Sequence, residues 1–203
     1  RRQRQMCIRD SLTVLEDAAR QVRRREPGFQ VERIPLDDKK TFDMLAAGRT
    51  VGVFQLESAG ITAVCMGLRP RSIEDITAVI ALYRPGPMES IPRFLACSAH
   101  PERITYKHPL LEPILSVTYG CIVYQEQVIE IFRQLAGFSL GQADMIRRAM
   151  SKKKEAVITA ERAAFVHGDP ERSIPGAVAR GVPEQTANEI YDEILAFASY
   201  AFN

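Results

Sequence analysis

The apolar positions of this chain recur at helical spacing almost from end to end. From residue 12, Leu12, Leu15, Ala18, Ala19 and Val22 fall at helical intervals. The segment closes on Arg23, Arg24 and Arg25 before Pro27 and Gly28, cations at a helix C-terminus followed by breakers. Asp37 or Asp38 opens a short helix that Gly48 ends, Val51 to Leu56 reads as a first short strand, and a further helix covers 58–67. Ser72-x-x-Asp75 resembles a capping box with the shorter acid, ahead of Ile76 to Tyr83, where nearly every side chain is apolar. A helix apolar all round belongs at the centre of a domain. Pro85-Gly86-Pro87 forbids its continuation and pushes Arg84 toward extended geometry at the edge of the core.

Residues 109–115 predict another short helix, Cys121 to Tyr124 a second short strand, and Gln125 to Ala136 a helix with Val128, Ile131, Phe132 and Leu135 as its buried stripe. On a helical wheel of Gly141 to Met150, the side chains of Met145, Ile146, Ala149 and Met150 share one side while Arg147 and Arg148 point away from it. A Pro- and Gly-rich interval from Gly168 to Pro183 precedes a last helix striped by Ala187, Ile190, Tyr191, Ile194, Leu195, Ala198 and Ala201. Tyr200 lies about 140° from the centre of that stripe at about 100° per residue, which makes it a candidate stacking surface. The expected fold class is mainly α, a multi-helix domain with one or two short strands.

With 203 residues, 46% of them hydrophobic, the chain is long enough for one or two domains that bury roughly 70% of the unfolded surface. No apolar run approaches the ~18 to 20 residues of a membrane span and no export signal opens the chain, so a cytoplasmic location is expected and no membrane partner. Cys7, Cys65, Cys97 and Cys121 stand far apart without a Cys-x-x-Cys pair, and Cys97 with His100 lacks a second pair, so neither disulfides nor a metal bound by this segment is expected. Arg1, Arg2, Arg4 and Arg9 against Asp10 give residues 1–11 a charge of +3, so of the net +2 the remainder carries −1. QMCIRDS at 5–11 matches the translation of the transposase mosaic-end tag used in sequencing libraries. Residues 1–11 therefore read as an adaptor-derived leader, the alternative being a basic arm.

The densest chemistry is RRAMSKKK at 147–154, where Arg147, Arg148, Lys152, Lys153 and Lys154 end an expected helix. Arginine offers planar donor forks and lysine point charges, the pair of devices that a polyphosphate or a nucleic-acid backbone asks for. The plain alternative is a solvated face with Asp144 and Glu155 as partners. Arg84 reaches a phosphate or a pocket rim, or else caps the helix before it. Glu126 suits a helix start, while Gln125 and Gln127 could meet a nucleic acid. His100, His108 and His167 have no partner at catalytic spacing and read as surface or cap residues.

RRAMSKKK and YRPGP (83–87), together with LDDKKTFDML (36–45), VFQLES (53–58), TYGCIVYQEQV (118–128) and SYAFN (199–203), closely resemble the fingers region of the bacterial DNA polymerase III alpha subunit family. The resemblance runs in order from about residue 12 to residue 203. It implies 12–35 as the end of the palm and a connecting helix, and 36–203 as a fingers domain cut at its C-terminus. Tyr200, Phe202 and Asn203 match the first half of a Y-x-F-N-K-S-H stretch whose Tyr and Asn border the nucleotide pocket in the family, with Ala201 where Gly is often found. It further implies a DNA-directed DNA polymerase acting in chromosomal replication on template-primer DNA and deoxynucleoside triphosphates, alongside a sliding clamp and other replisome subunits. The magnesium ions of two-metal chemistry would be held by palm aspartates in P-D-x-D-x-D and D-F-L-G-L type motifs, which this segment lacks, so the segment alone is expected to be inactive. Two rivals remain at this stage. One is a non-enzymatic helical nucleic-acid-binding module, which the charge of −1 beyond the leader disfavours. The other is a helical interaction scaffold, which would need an exposed apolar stripe.

Overall fold

A computed structural model describes residues 2–84, 87–151 and 155–200, with side chains for 12–84, 87–149 and 156–198. The chain divides into two compact units, one ending at Asp38 and the other starting at Lys39. In the first, α1 (Arg2–Arg23) ends on Arg20 and Arg23, and Arg23 Nε donates to Phe29 O at 3.1 Å, tying the helix end to the turn at Pro27 and Gly28. A 3-10 turn (Val31–Arg33) completes this unit.

The second unit is helical and has two cores. The first gathers buried residues of α2 (Lys39–Ala46), α3 (Ala59–Leu68), α4 (Ile73–Leu82) and α5 (Ile91–Ala99), together with Cys121 and Val123. Ser72 caps α4 as its spacing foretold, its Oγ accepting from Asp75 N at 3.2 Å, while the Asp75 carboxylate accepts from Arg71 N at 2.8 Å, one residue before the usual box. The second core draws on α6 (Glu112–Leu115), α7 (Gln125–Ala136), α8 (Leu140–Ser151), α9 (Glu155–Ala160), α10 (Arg162–His167) and α11 (Glu184–Tyr200). Phe132 is its hub, with the rings of Phe138 and Phe165 each at 5.0 Å and that of Tyr191 at 5.9 Å in edge-on geometry. The Tyr191 hydroxyl donates to Ile158 O, which satisfies the one polar atom of this aromatic cluster. α7 carries the expected stripe, and it stops where Gly137 enters the left-handed region at φ +78°.

Two expectations fail. Among the described residues no β-strand forms; Asp169 and Ile174 make an isolated antiparallel bridge. Val51 to Leu56 is a pair of tight turns, closed by Val53 N to Thr50 O and Leu56 N to Val53 O at 3.0 Å each, with Gly52 and Gln55 at positive φ. Cys121 to Tyr124 is extended, but the amides of Val123 and Tyr124 bond to a side chain rather than to a neighbouring strand. On α8 the buried side is Ala143, Ile146 and Ala149, and Met145 stands 58% exposed instead of joining it. The stripe is centred on Ile146, so a residue one step away is turned by about 100° toward solvent. Among the described residues no helix is long and apolar enough to cross a membrane.

Candidate functional site

α4 ends at Leu82, and its next residue aims the turn that follows. Tyr83 N closes the helix on Val79 O at 2.9 Å, and the Tyr83 ring lies against Gly60 of α3, where a side chain would collide with it. Arg84 then emerges exposed, its backbone bridged by Arg84 N to Leu82 O at 2.8 Å and Met88 N to Arg84 O at 3.1 Å. The sequence placed Arg84 at the edge of the core, and there it stands.

Arg84 lines a cleft of about 330 Å³ with Ile80, Pro87, Tyr124, Glu126 and Phe197. A second hollow of about 140 Å³ shares Pro87 and Phe197 with it and continues along Cys121, Arg93 and Glu193. The extended segment 121–124 runs under both, Cys121 and Ile122 in the smaller and Val123 and Tyr124 in the larger, and α11 supplies one wall. Charge along these hollows is mixed: Arg84 and Arg93 face Glu126, Glu89 and Glu193. Burial pushes the Tyr124 phenol above its ordinary value, with Glu74 and Asp75 adding to the shift, so it stays a neutral donor. Burial also raises the Cys121 thiol to about 11, against the opposing pull of Arg93.

The cationic pair sits elsewhere on the second unit. Arg147 Nε and Arg148 Nε each donate to one oxygen of Asp144 at 2.7 Å, so a single carboxylate one turn back holds both guanidinium groups. Hydrogen bonding from Arg147, then the charges of both arginines, keeps the Asp144 carboxyl below its ordinary range. Arg148 remains 68% exposed at its side chain, and Arg147 32%. Among the described residues α8 contributes none to the lining of the cleft at Arg84. The structure thus brings Arg84 and the end of α11 to one cleft and sets Arg147, half-buried, and Arg148, exposed, on a separate edge. Lys152, Lys153, Lys154 and Asn203 lie outside the described residues, as does the side chain of Tyr200, which closes α11.

Gln127 is not a nucleic-acid contact; it is buried, 5% exposed, and bonded on every side. The histidines have local partners: His108 Nδ1 accepts from Leu110 N at 3.3 Å, His100 meets Glu102 at 3.1 Å and His167 meets Glu184 at 3.7 Å. Among the described residues no group of three or more His, Cys, Asp or Glu side chains is arranged to hold a metal ion.

A family model described as the bacterial DNA polymerase III alpha subunit finger domain matches residues 11–172. The DNA polymerase III subunit alpha of Halalkalibacterium halodurans is 50% identical over 194 residues, 95% of this chain and 17% of that protein. Its counterpart from Staphylococcus epidermidis is 51% identical over 174 residues, 86% of this chain and 16% of that protein. The one from Thermus aquaticus is 47% identical over 200 residues, again 95% of this chain and 16% of its own length. The chain therefore spans about a sixth of the curated relatives it matches.

Proposed function

The chain belongs to the bacterial DNA polymerase III alpha subunit finger-domain family, and on that premise we propose that it is the fingers of a DNA-directed DNA polymerase. In the complete protein it binds the incoming deoxynucleoside triphosphate and template DNA during chromosomal replication. The observation that carries this reading is the edge of α8, where Asp144 holds two arginine forks, the half-buried Arg147 and the exposed Arg148, within one helical turn.

Nucleotidyl transfer builds charge on the bridging and leaving oxygens of the triphosphate, and fixed cations stabilise that charge most when they need no reorganisation. Asp144 supplies the fixing. Each Nε is spent on it, so the guanidinium planes are set before a phosphate arrives, and Lys152, Lys153 and Lys154 add point charges along the same run. Arg84 serves the rim of the cleft shared with α11, and Tyr200, the last residue of that helix, borders the base together with Asn203. The magnesium ions of this chemistry would polarise the phosphates from the palm, and the described residues offer them no cage. A sliding clamp and other replisome subunits are the partners of the complete protein.

Primer extension by the complete polypeptide carrying this segment tests the reading. Template-directed incorporation that needs a divalent cation is expected, with none from the isolated chain; a complete polypeptide that binds primer-template but adds no nucleotide would contradict it.

A further inference from the structure

The floor of both hollows is held by one side chain. Gln127 Oε1 accepts from Val123 N at 2.8 Å and from Tyr124 N at 2.9 Å, while its Nε2 donates to Ile114 O at 3.2 Å and to Thr118 Oγ1 at 2.7 Å. Thr118 Oγ1 in turn stands 2.6 Å from Cys121 O, so the clamp reaches both ends of segment 121–124. These residues have no strand beside them to take their amides. A buried amide left unpaired loses its solvation without recompense, so the segment keeps its course only while an acceptor stands where Oε1 does.

Three features make this more than core filling. Gln127 and Thr118 are two of only three buried polar residues among those described, and each bonds the other. Gln127 is the third residue of α7, so its capping of Tyr124 N also fixes where α7 begins and therefore where Glu126 stands in the cleft. The residues it holds, Val123 and Tyr124, line the larger hollow directly beside Arg84 and Phe197, and Cys121 lines the smaller one.

We infer that Gln127 is a positioning residue for nucleotide binding: it sets the course of segment 121–124 and with it the floor of the cleft at Arg84. The inference rests on the polymerase reading. Displacing a pocket floor by about 1 Å is enough to change turnover by as much as about 10²-fold, so the clamp is felt in the kinetics without touching substrate.

Two substitutions in the complete polymerase separate positioning from mere stability. Gln127→Leu keeps the bulk and leaves two amides, a carbonyl and a hydroxyl without their partner. Gln127→Glu keeps both acceptor bonds to Val123 N and Tyr124 N but loses the donors when ionised; protonation returns one donor, and burial raises the pKa of such a carboxyl. Single-turnover incorporation is measured across deoxynucleotide concentration, from about pH 6.5 to 8.5, alongside thermal unfolding. The Leu variant should raise the apparent nucleotide KM about tenfold relative to the unmodified enzyme at every pH. The Glu variant should raise it at high pH and recover toward the unmodified value as pH falls. If Leu fails to fold, the pH-dependent recovery of Glu carries the test alone. Variants that lower the unfolding temperature yet match the unmodified KM at every pH overturn the inference and leave the polymerase reading standing. An unmodified protein that incorporates no nucleotide removes both.

Discussion

The hydroxyl of Tyr83 occupies the space a Cβ on Gly60 would take, 1.8 Å from it, with ring atoms at 2.5 and 2.9 Å. α3 therefore carries glycine there because the phenol end of the ring that leads into the turn at Arg84 fills the place of a side chain. Gly60→Ala gains about 1 kcal/mol of helix propensity, but the rigid ring has to swing out, and overpacking of this kind typically costs about 1 to 3 kcal/mol. A net loss is expected, seen as a lower denaturant midpoint of the purified chain with an unchanged slope. An unchanged or raised midpoint would mean the ring moves freely.

Gly176 offers a sharper case. Its φ is +84°, and a Cβ would stand 2.3 Å from Gly168 N and 2.6 Å from His167 C, both backbone atoms. Gly176→Ala combines positive-φ strain with a clash that no rotamer relieves, so a loss of about 3 kcal/mol or more is expected. Far-ultraviolet circular dichroism on heating measures it, and a melting point within about 2 °C of the unmodified chain contradicts the close approach.

Cys121 predicts an alkaline limit. Burial raises its thiol from the ordinary 9.0 to about 11, so the folded state holds the proton more tightly than the unfolded state. The stability this contributes is fully present below pH 9 and is lost as pH rises through about 11, at most about 2 to 3 kcal/mol for a two-unit shift. Chemical denaturation at steps across that window should show the unmodified chain losing more stability than Cys121→Ala. Parallel losses would place the alkaline sensitivity on another group.

Asp144 separates stability from binding. Its two ion pairs are partly exposed and lie within one helix, so Asp144→Asn should leave the melting temperature within about 2 °C. The same change takes the carboxylate bond from the Nε of each arginine, and in the complete polymerase the apparent nucleotide KM should rise by about threefold or more as their pre-set geometry is lost. A melting temperature that falls while KM holds would reverse the assignment.

How much of this was legible in the sequence depends on which partner each group uses. α7 was readable at both ends because its stripe is local and Gly137 follows it, and the cap of α4 was readable because Ser72 and Asp75 are three residues apart. The strands expected at 51–56 and 121–124 do not form, because a β pattern says nothing of whether a neighbour exists. In the first, positive φ at Gly52 and Gln55 turns the chain back on itself, and in the second a glutamine side chain stands in for the missing strand. The sequence leaves Gln127 open to a nucleic-acid contact, although its place three residues past Tyr124 is the reciprocal half of a capping box. The signal was hidden because the N-cap is a tyrosine and not a serine or threonine. α5 left a faint trace, since it begins beside Pro92 and buries little more than Phe94 and Cys97. Of the site, Arg84 stands at the core edge expected for it, and Arg148 faces away from the buried stripe of α8 while Arg147 lies half-buried at its flank, both paired with Asp144 as the plain alternative has it.

The most direct measurement is single-turnover incorporation by the complete polymerase carrying Arg147→Ala together with Arg148→Ala, followed across deoxynucleotide concentration. The account predicts an apparent KM raised by about tenfold or more, or a correspondingly slower maximal rate, because the triphosphate loses its two pre-set forks. Kinetics that superimpose on those of the unmodified enzyme at every nucleotide concentration would take the α8 edge out of nucleotide binding.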